Sequence, residues 1–146
     1  GWRLGYTAAP KEIALQLAKL HQFAIMCAPT TAQYAAIEAL RNGDADIEDM
    51  RGQYDMRRRL VVGTLRSMGF PCFEPEGAFY VFPKIDAFGL SGEDFCGELL
   101  KQQHVAIVPG EAFGESGRGF ARISCSYSIS HLATALGRIE AFIKTL

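Results

Sequence analysis

Residues 105–124 read VAIVPGEAFGESGRGFARIS, and the division of this stretch decides the fold. VAIV (105–108) is a short unbroken apolar run, the pattern of a buried strand, and Pro109-Gly110 stops it. Gly110, Gly114, Gly117 and Gly119 then make a glycine-rich loop or tight turn. Its spacing matches neither a dinucleotide fingerprint nor a P-loop, and no Lys-Ser/Thr pair follows it. FARIS (120–124) is the next strand. Its pleat places Phe120, Arg122 and Ser124 on one face and Ala121 and Ile123 on the other.

Outward from this pair, helical periodicity takes over on both sides. Downstream, Leu132, Leu136, Ile139, Ile143 and Leu146 fall on one face of a closing helix. Upstream, Ser91 and Asp94 have capping-box spacing for a helix carrying Phe95, Leu99 and Leu100. FPCFEPEGAFYVFPKI (70–85) predicts two short strands broken by Pro75-Glu76-Gly77, the second being the aromatic run Phe79 to Phe82. Three helices precede it. One follows Pro10, with Ile13, Leu17 and Leu20 on a stripe; a second spans about 31–41; a third runs from Asp46 to Met68 along Ile47, Met50, Tyr54, Val61, Leu65 and Met68. Arg57, Arg58 and Arg59 interrupt that stripe and read as its solvated or interdomain face. Helices first, then mixed strands and helices, predict an α/β or α+β architecture, its sheet short, mostly antiparallel and covered by helices.

Composition narrows the functional classes. The chain has 146 residues, 49% hydrophobic and 21% charged, which is the makeup of a globular domain with a real core. Lys+Arg 15 against Asp+Glu 16 gives a net charge of -1, and the basic residues form no tract that tracks a phosphate backbone, so nucleic acid is not an expected partner. No apolar run reaches the roughly 18 residues of a membrane span. Cys27, Cys72, Cys96 and Cys125 are far apart, in apolar settings and without metal-ligand spacing; they are expected to be reduced core cysteines of a cytoplasmic protein, with no metal site.

Most catalytic patterns fail. Glu74 and Glu76 flank a proline turn, where exposed carboxylates are ordinary, and His21, His104 and His131 share no spacing. ISCSYSIS (123–130) has hydroxyls and a thiol without a nucleophile elbow. Two arginines in apolar surroundings remain, Arg3 and Arg122. Each has two readings: a solvent-facing or snorkelling side chain, or a rigid fork gripping a carboxylate or phosphate through two parallel hydrogen bonds.

GWRLGY (1–6), GAFYVFP (77–83), VAIVPGEAFG (105–114) and GFARISCSYS (119–128), followed by an amphipathic helix, occur in that order. This order resembles the C-terminal part of class I/II, fold type I pyridoxal-phosphate-dependent aminotransferases, the aspartate/aromatic/alanine-type subgroup above all. The resemblance implies that Arg3 binds the phosphate of pyridoxal 5'-phosphate, that Arg122 clamps the substrate α-carboxylate, and that Phe79 is the aromatic position near the substrate. It implies residues 1–30 as a remnant of the large cofactor-binding domain, 31–68 as interdomain linking helices and 69–146 as the C-terminal small domain. The family's Schiff-base lysine stands a short way ahead of the phosphate arginine. That position lies upstream of Gly1, so no catalytic residue is expected within the chain and the chain alone is expected to be inactive. The parent would transfer an amino group from an α-amino acid to a 2-oxo acid, as a homodimer, and this piece would self-associate. Because the same fold hosts other chemistry, a carbon–sulfur lyase and the sensor part of a transcription regulator are the alternatives.

Overall fold

Prolines set where the first two helices begin. In the computed structural model, which describes residues 1–146, α1 (Lys11–Ala24) starts directly after Pro10 and α2 (Thr30–Asn42) directly after Pro29. Gly43 ends α2, its N–H donating to the Ala39 carbonyl at 3.0 Å, and α3 (Asp44–Ser67) follows at once. The chain forms two compact units, Gly1–Asp49 and Met50–Leu146, whose boundary falls inside α3. In the first unit Ala32 is buried, whereas α1 buries no residue. Ile13, Leu17 and Leu20 lie on this helix as their period predicts, and all three are exposed.

The second unit holds a three-stranded antiparallel sheet in the order β1-β3-β2, built from β1 (Tyr80–Val81), β2 (Val108–Pro109) and β3 (Ala121–Ser124). Tyr80 pairs with Ser124, Val81 with Ile123, Val108 with Arg122 and Pro109 with Ala121. α4 (Gly92–Gln103) and α5 (Ile129–Ile143) pack with the second half of α3. Their apolar faces meet one side of the sheet: Val61 and Leu65 from α3, Phe95 and Leu99 from α4, and Leu136, Ile139 and Phe142 from α5, with Val81, Ala121 and Ile123 beneath. Each large side chain so buried contributes about 1.5–3 kcal/mol. Phe95 is the hub, with ring contacts to Phe70, Phe88 and Phe142. The architecture is the expected one, helices over a short antiparallel sheet.

Several local expectations change. The first strand predicted at 70–74 does not form, because Pro71 and Pro75 have no N–H to donate and other groups satisfy the segment: Lys84 N–H donates to the Pro71 carbonyl at 2.8 Å and Arg66 Nε to the Cys72 carbonyl at 2.9 Å. β2 is shorter than predicted, since pairing stops at Val108 and Val105 packs by its side chain instead. The glycine-rich loop is two tight 3₁₀ turns, Gly110–Phe113 and Glu115–Gly117. At α4, Ser91 Oγ accepts from Asp94 N–H at 3.1 Å, but the Asp94 carboxylate accepts from that hydroxyl at 2.6 Å, giving half a capping box. Cys96 and Cys125 are buried, Cys72 is half-buried and Cys27 is exposed, so not all four are core residues; all are free thiols. No helix is long and apolar enough to cross a membrane.

Candidate functional site

β3 alternates strictly. Ala121 and Ile123 face the core, so Arg122 and Ser124 stand on the opposite face, beside Val108 and Tyr80 in the adjoining strands. On that face aromatic rings surround Arg122. The guanidinium carbon of Arg122 lies 4.4 Å from the ring centroid of Tyr80 and 4.4 Å from that of Phe113. Both rings are within cation–π range. Arg122 has no carboxylate partner, whereas Arg58, Arg59, Arg66 and Arg118 are all engaged by Asp or Glu.

The ring of Phe113 reaches Arg122 because the turn that carries it is pinned. Gly110 N–H donates to the Phe120 carbonyl at 2.8 Å, and Gly110 and Gly117 touch so closely that a Cβ on either would strike the other's carbonyl oxygen. Phe113 meets Phe82 edge-on at 5.7 Å. Beneath the turn, the Glu111 carboxylate lies against Gly92 at the start of α4. A helix N-terminus is a favourable place for that carboxylate. Glu111 also adds to the effect of burial on Cys96, whose thiol is pushed up to about 11.

Phe79 joins the same cluster, tilted against Tyr80 at 4.5 Å and stacked on Tyr54 of α3 at 5.7 Å. Its carbonyl accepts from Cys125 N–H at 2.8 Å, which fixes the entry to β1. The structure thus brings Phe79 and Arg122 together through Tyr80. Around them an ion-pair web ties α3 to the chain leading into β1: Glu74 pairs with Arg58 and with Arg66, and Asp55 with Arg58 and Arg59. The Arg58 hydrogen bond holds the Asp55 carboxyl below its usual value, and Asp55 in turn raises Arg58. Of the reading of Arg57, Arg58 and Arg59 as a solvated or interdomain face, the solvated alternative does not hold for all three. Only Arg59 is largely exposed; Arg58 is three-quarters covered, and Arg57 lies over the Tyr54 ring with its Nε buried.

Arg3 belongs to the first unit, at a left-handed φ of 56°. It is exposed and lines a cleft with Trp2, Tyr6, Ala32, Ala36 and Leu40, in which the alanines of α2 leave open space. Its guanidinium is free of carboxylates, which suits a permanent cation to an anion. A second cavity of about 440 Å³ lies between α5 and residues 104–107, and neither Arg122 nor Phe79 lines it. Reasoning from sequence missed Tyr80 and Phe113 as holders of Arg122. Their aromatic character was visible, but nothing local says that residues 80, 113 and 122 meet.

Comparison with known proteins follows the same motifs. The family model for aminotransferase class I and II matches residues 1–139. The chain is 49% identical over 143 residues to a putative aminotransferase, YugH, of Bacillus subtilis, covering 98% of the chain and 37% of that protein. It is 42% identical to the aspartate aminotransferase of Pyrococcus abyssi, covering 99% and 38%. Among solved structures, an aromatic aminotransferase from Pyrococcus horikoshii superposes with a TM-score of 0.90 at 42% identity, over 99% of the chain and 39% of that structure. The chain therefore spans less than two-fifths of the length of these relatives. With one sheet face packed on helices, an unpaired arginine on the other, and agreement in sequence and backbone over nearly its whole length, the chain belongs to the class I and II aminotransferase family.

Proposed function

We propose that the chain is the carboxylate-gripping part of a pyridoxal-phosphate-dependent aminotransferase that moves an amino group from an α-amino acid to a 2-oxo acid. The observation that carries this reading is Arg122: a guanidinium without a carboxylate partner, seated on aromatic rings, on the sheet face turned away from the core. Its rigid fork suits a planar carboxylate, which accepts two parallel N–H bonds. Gripping the α-carboxylate fixes how the α-carbon is presented and favours closure of residues 69–146 over the substrate.

Members of the family generally use pyridoxal 5'-phosphate. The donor set here fits one part of that group, its phosphate, which the unpaired Arg3 would hold by charge-assisted hydrogen bonds. When bound, the cofactor supplies an electron sink for the charge that builds at the substrate α-carbon. Phe79 supplies an apolar wall beside the clamp. In this reading residues 1–30 belong to a larger cofactor-binding domain, 31–68 link the domains, and 69–146 form the small domain. The cofactor-bonding lysine is assigned to sequence ahead of Gly1. In support, Lys84, Lys101 and Lys144 are taken up in ion pairs with Asp86, Glu98 and Glu140, and Lys11 and Lys19 lie on exposed α1. The chain alone is then inactive, and the whole enzyme is a cytoplasmic homodimer.

The test is Arg122→Lys in the full-length enzyme. An ammonium cannot reproduce the fork, so kcat/KM for α-amino acids falls at least about tenfold, equivalent to roughly 1.4 kcal/mol. Amines lacking the carboxylate are unaffected. Unchanged kinetics with amino acids would return Arg122 to the role of a solvent-facing strand residue.

A further inference from the structure

Arg122 is a long side chain with several rotatable bonds, on a sheet face where no carboxylate fixes it. Left free, it would sample many rotamers, and a substrate would have to order it on binding. Two elements far apart in sequence prevent this. Tyr80 arrives on β1, and Phe113 on the 3₁₀ turn that leaves β2; each presents its ring to the guanidinium at the same 4.4 Å. Both rings are themselves held, Tyr80 by Phe79 at 4.5 Å and Phe113 by Phe82 at 5.7 Å. Aromatic rings carry no carboxylate oxygen, so these contacts leave the N–H groups of the fork without an ion-pair partner. A carboxylate partner from the protein would instead have consumed them.

We propose that Tyr80 and Phe113 are positioning residues, an aromatic mount that pre-orients the Arg122 fork for a substrate carboxylate. This rests on the reading of Arg122 as the carboxylate clamp. Neither ring touches the reacting atoms; both act through Arg122. The turn that carries Phe113 is part of the device, because the Gly110–Gly117 contact sets how far that ring reaches.

The experiment uses the full-length enzyme with a panel of α-amino acids, each compared with the amine left when its carboxylate is removed. Tyr80→Leu and Phe113→Leu keep apolar bulk and remove the ring. Each is expected to raise KM for amino acids about two- to fivefold, the size of a cation–π contact at a partly exposed site, with kcat changed less and the amines unaffected. Tyr80→Phe, which restores a ring, should recover most of the loss relative to Tyr80→Leu. Phe113 is half-exposed, so Phe113→Leu keeps the test alive should Tyr80→Leu not fold. If Arg122→Lys impairs amino acids while both leucine variants leave KM unchanged, the mount is overturned and the clamp stands. An equal rise in KM for amino acids and amines would overturn the mount as well, by marking general damage to the site. If Arg122→Lys is without effect, the clamp falls and the mount with it.

Discussion

Replacing Gly110 by alanine tests how the site is built, because the new methyl group has nowhere to go. It would point into the Gly117 carbonyl oxygen, with the Gly117 carbonyl carbon and the Phe120 oxygen each at 2.9 Å. All three obstacles are backbone atoms, so no flexible side chain can swing aside. The two turns must separate, and the hydrogen bond from Gly110 N–H to the Phe120 carbonyl, 2.8 Å long, stretches with them. Overpacking of this kind costs about 1–3 kcal/mol and the weakened hydrogen bond about 1 kcal/mol, for a total of about 2–4 kcal/mol. For a chain of this size that lowers the melting temperature by roughly 5–15 °C. Thermal unfolding followed by circular dichroism measures it, with Gly63→Ala as the control. Gly63 lies on the exposed side of α3 with nothing within 4 Å of where the alanine methyl would stand, so this substitution should be neutral or stabilise by about 0.5–1 kcal/mol. A Gly110→Ala protein that melts within about 2 °C of the parent would refute the claim that this contact pins the turn.

Two further outcomes are expected. Burial pushes the thiols of Cys96 and Cys125 from 9.0 to about 11, so between those values the folded chain holds protons that the unfolded chain has lost; stability is level below about pH 9 and falls as pH rises through that window. Denaturant midpoints measured across the window show the fall, and the Cys96→Ala, Cys125→Ala double variant should flatten it; an unchanged slope would count against burial as its cause. Arg3→Ala in the full-length enzyme should weaken retention of pyridoxal phosphate by about 1.5–3 kcal/mol, the value of a hydrogen bond to a charged group, as read by equilibrium titration of the apoenzyme. Unaltered affinity would leave Arg3 as an exposed arginine beside Trp2.

The sequence by itself determined what depends on neighbours a few residues apart. Apolar residues at helical spacing mark four helices, a Pro-Thr-Thr start with an Ala-rich stretch marks the fifth, and two-residue alternation in FARIS turns Arg122 away from the core while Ala121 and Ile123 turn inward. The motif order also brought out Arg3, Phe79 and Arg122 as the residues to follow. Tertiary structure alone decided which predicted strands find partners and what holds each charged side chain. Residues 70–74 have strand-like composition but lose the ladder to Pro71 and Pro75, and the Ile13, Leu17 and Leu20 stripe has the right period yet is exposed. Glu74 looks like a loose carboxylate in sequence, yet it bridges Arg58 and Arg66; Cys27 looks like its buried counterparts, yet it is exposed. The rings on Arg122 belong to the same class, since Tyr80 and Phe113 are 42 and 9 residues from it along the chain. Periodicity reports which way a side chain faces, because backbone geometry repeats locally; what it meets there depends on loop closures that bring distant segments together, and no short window of sequence contains them.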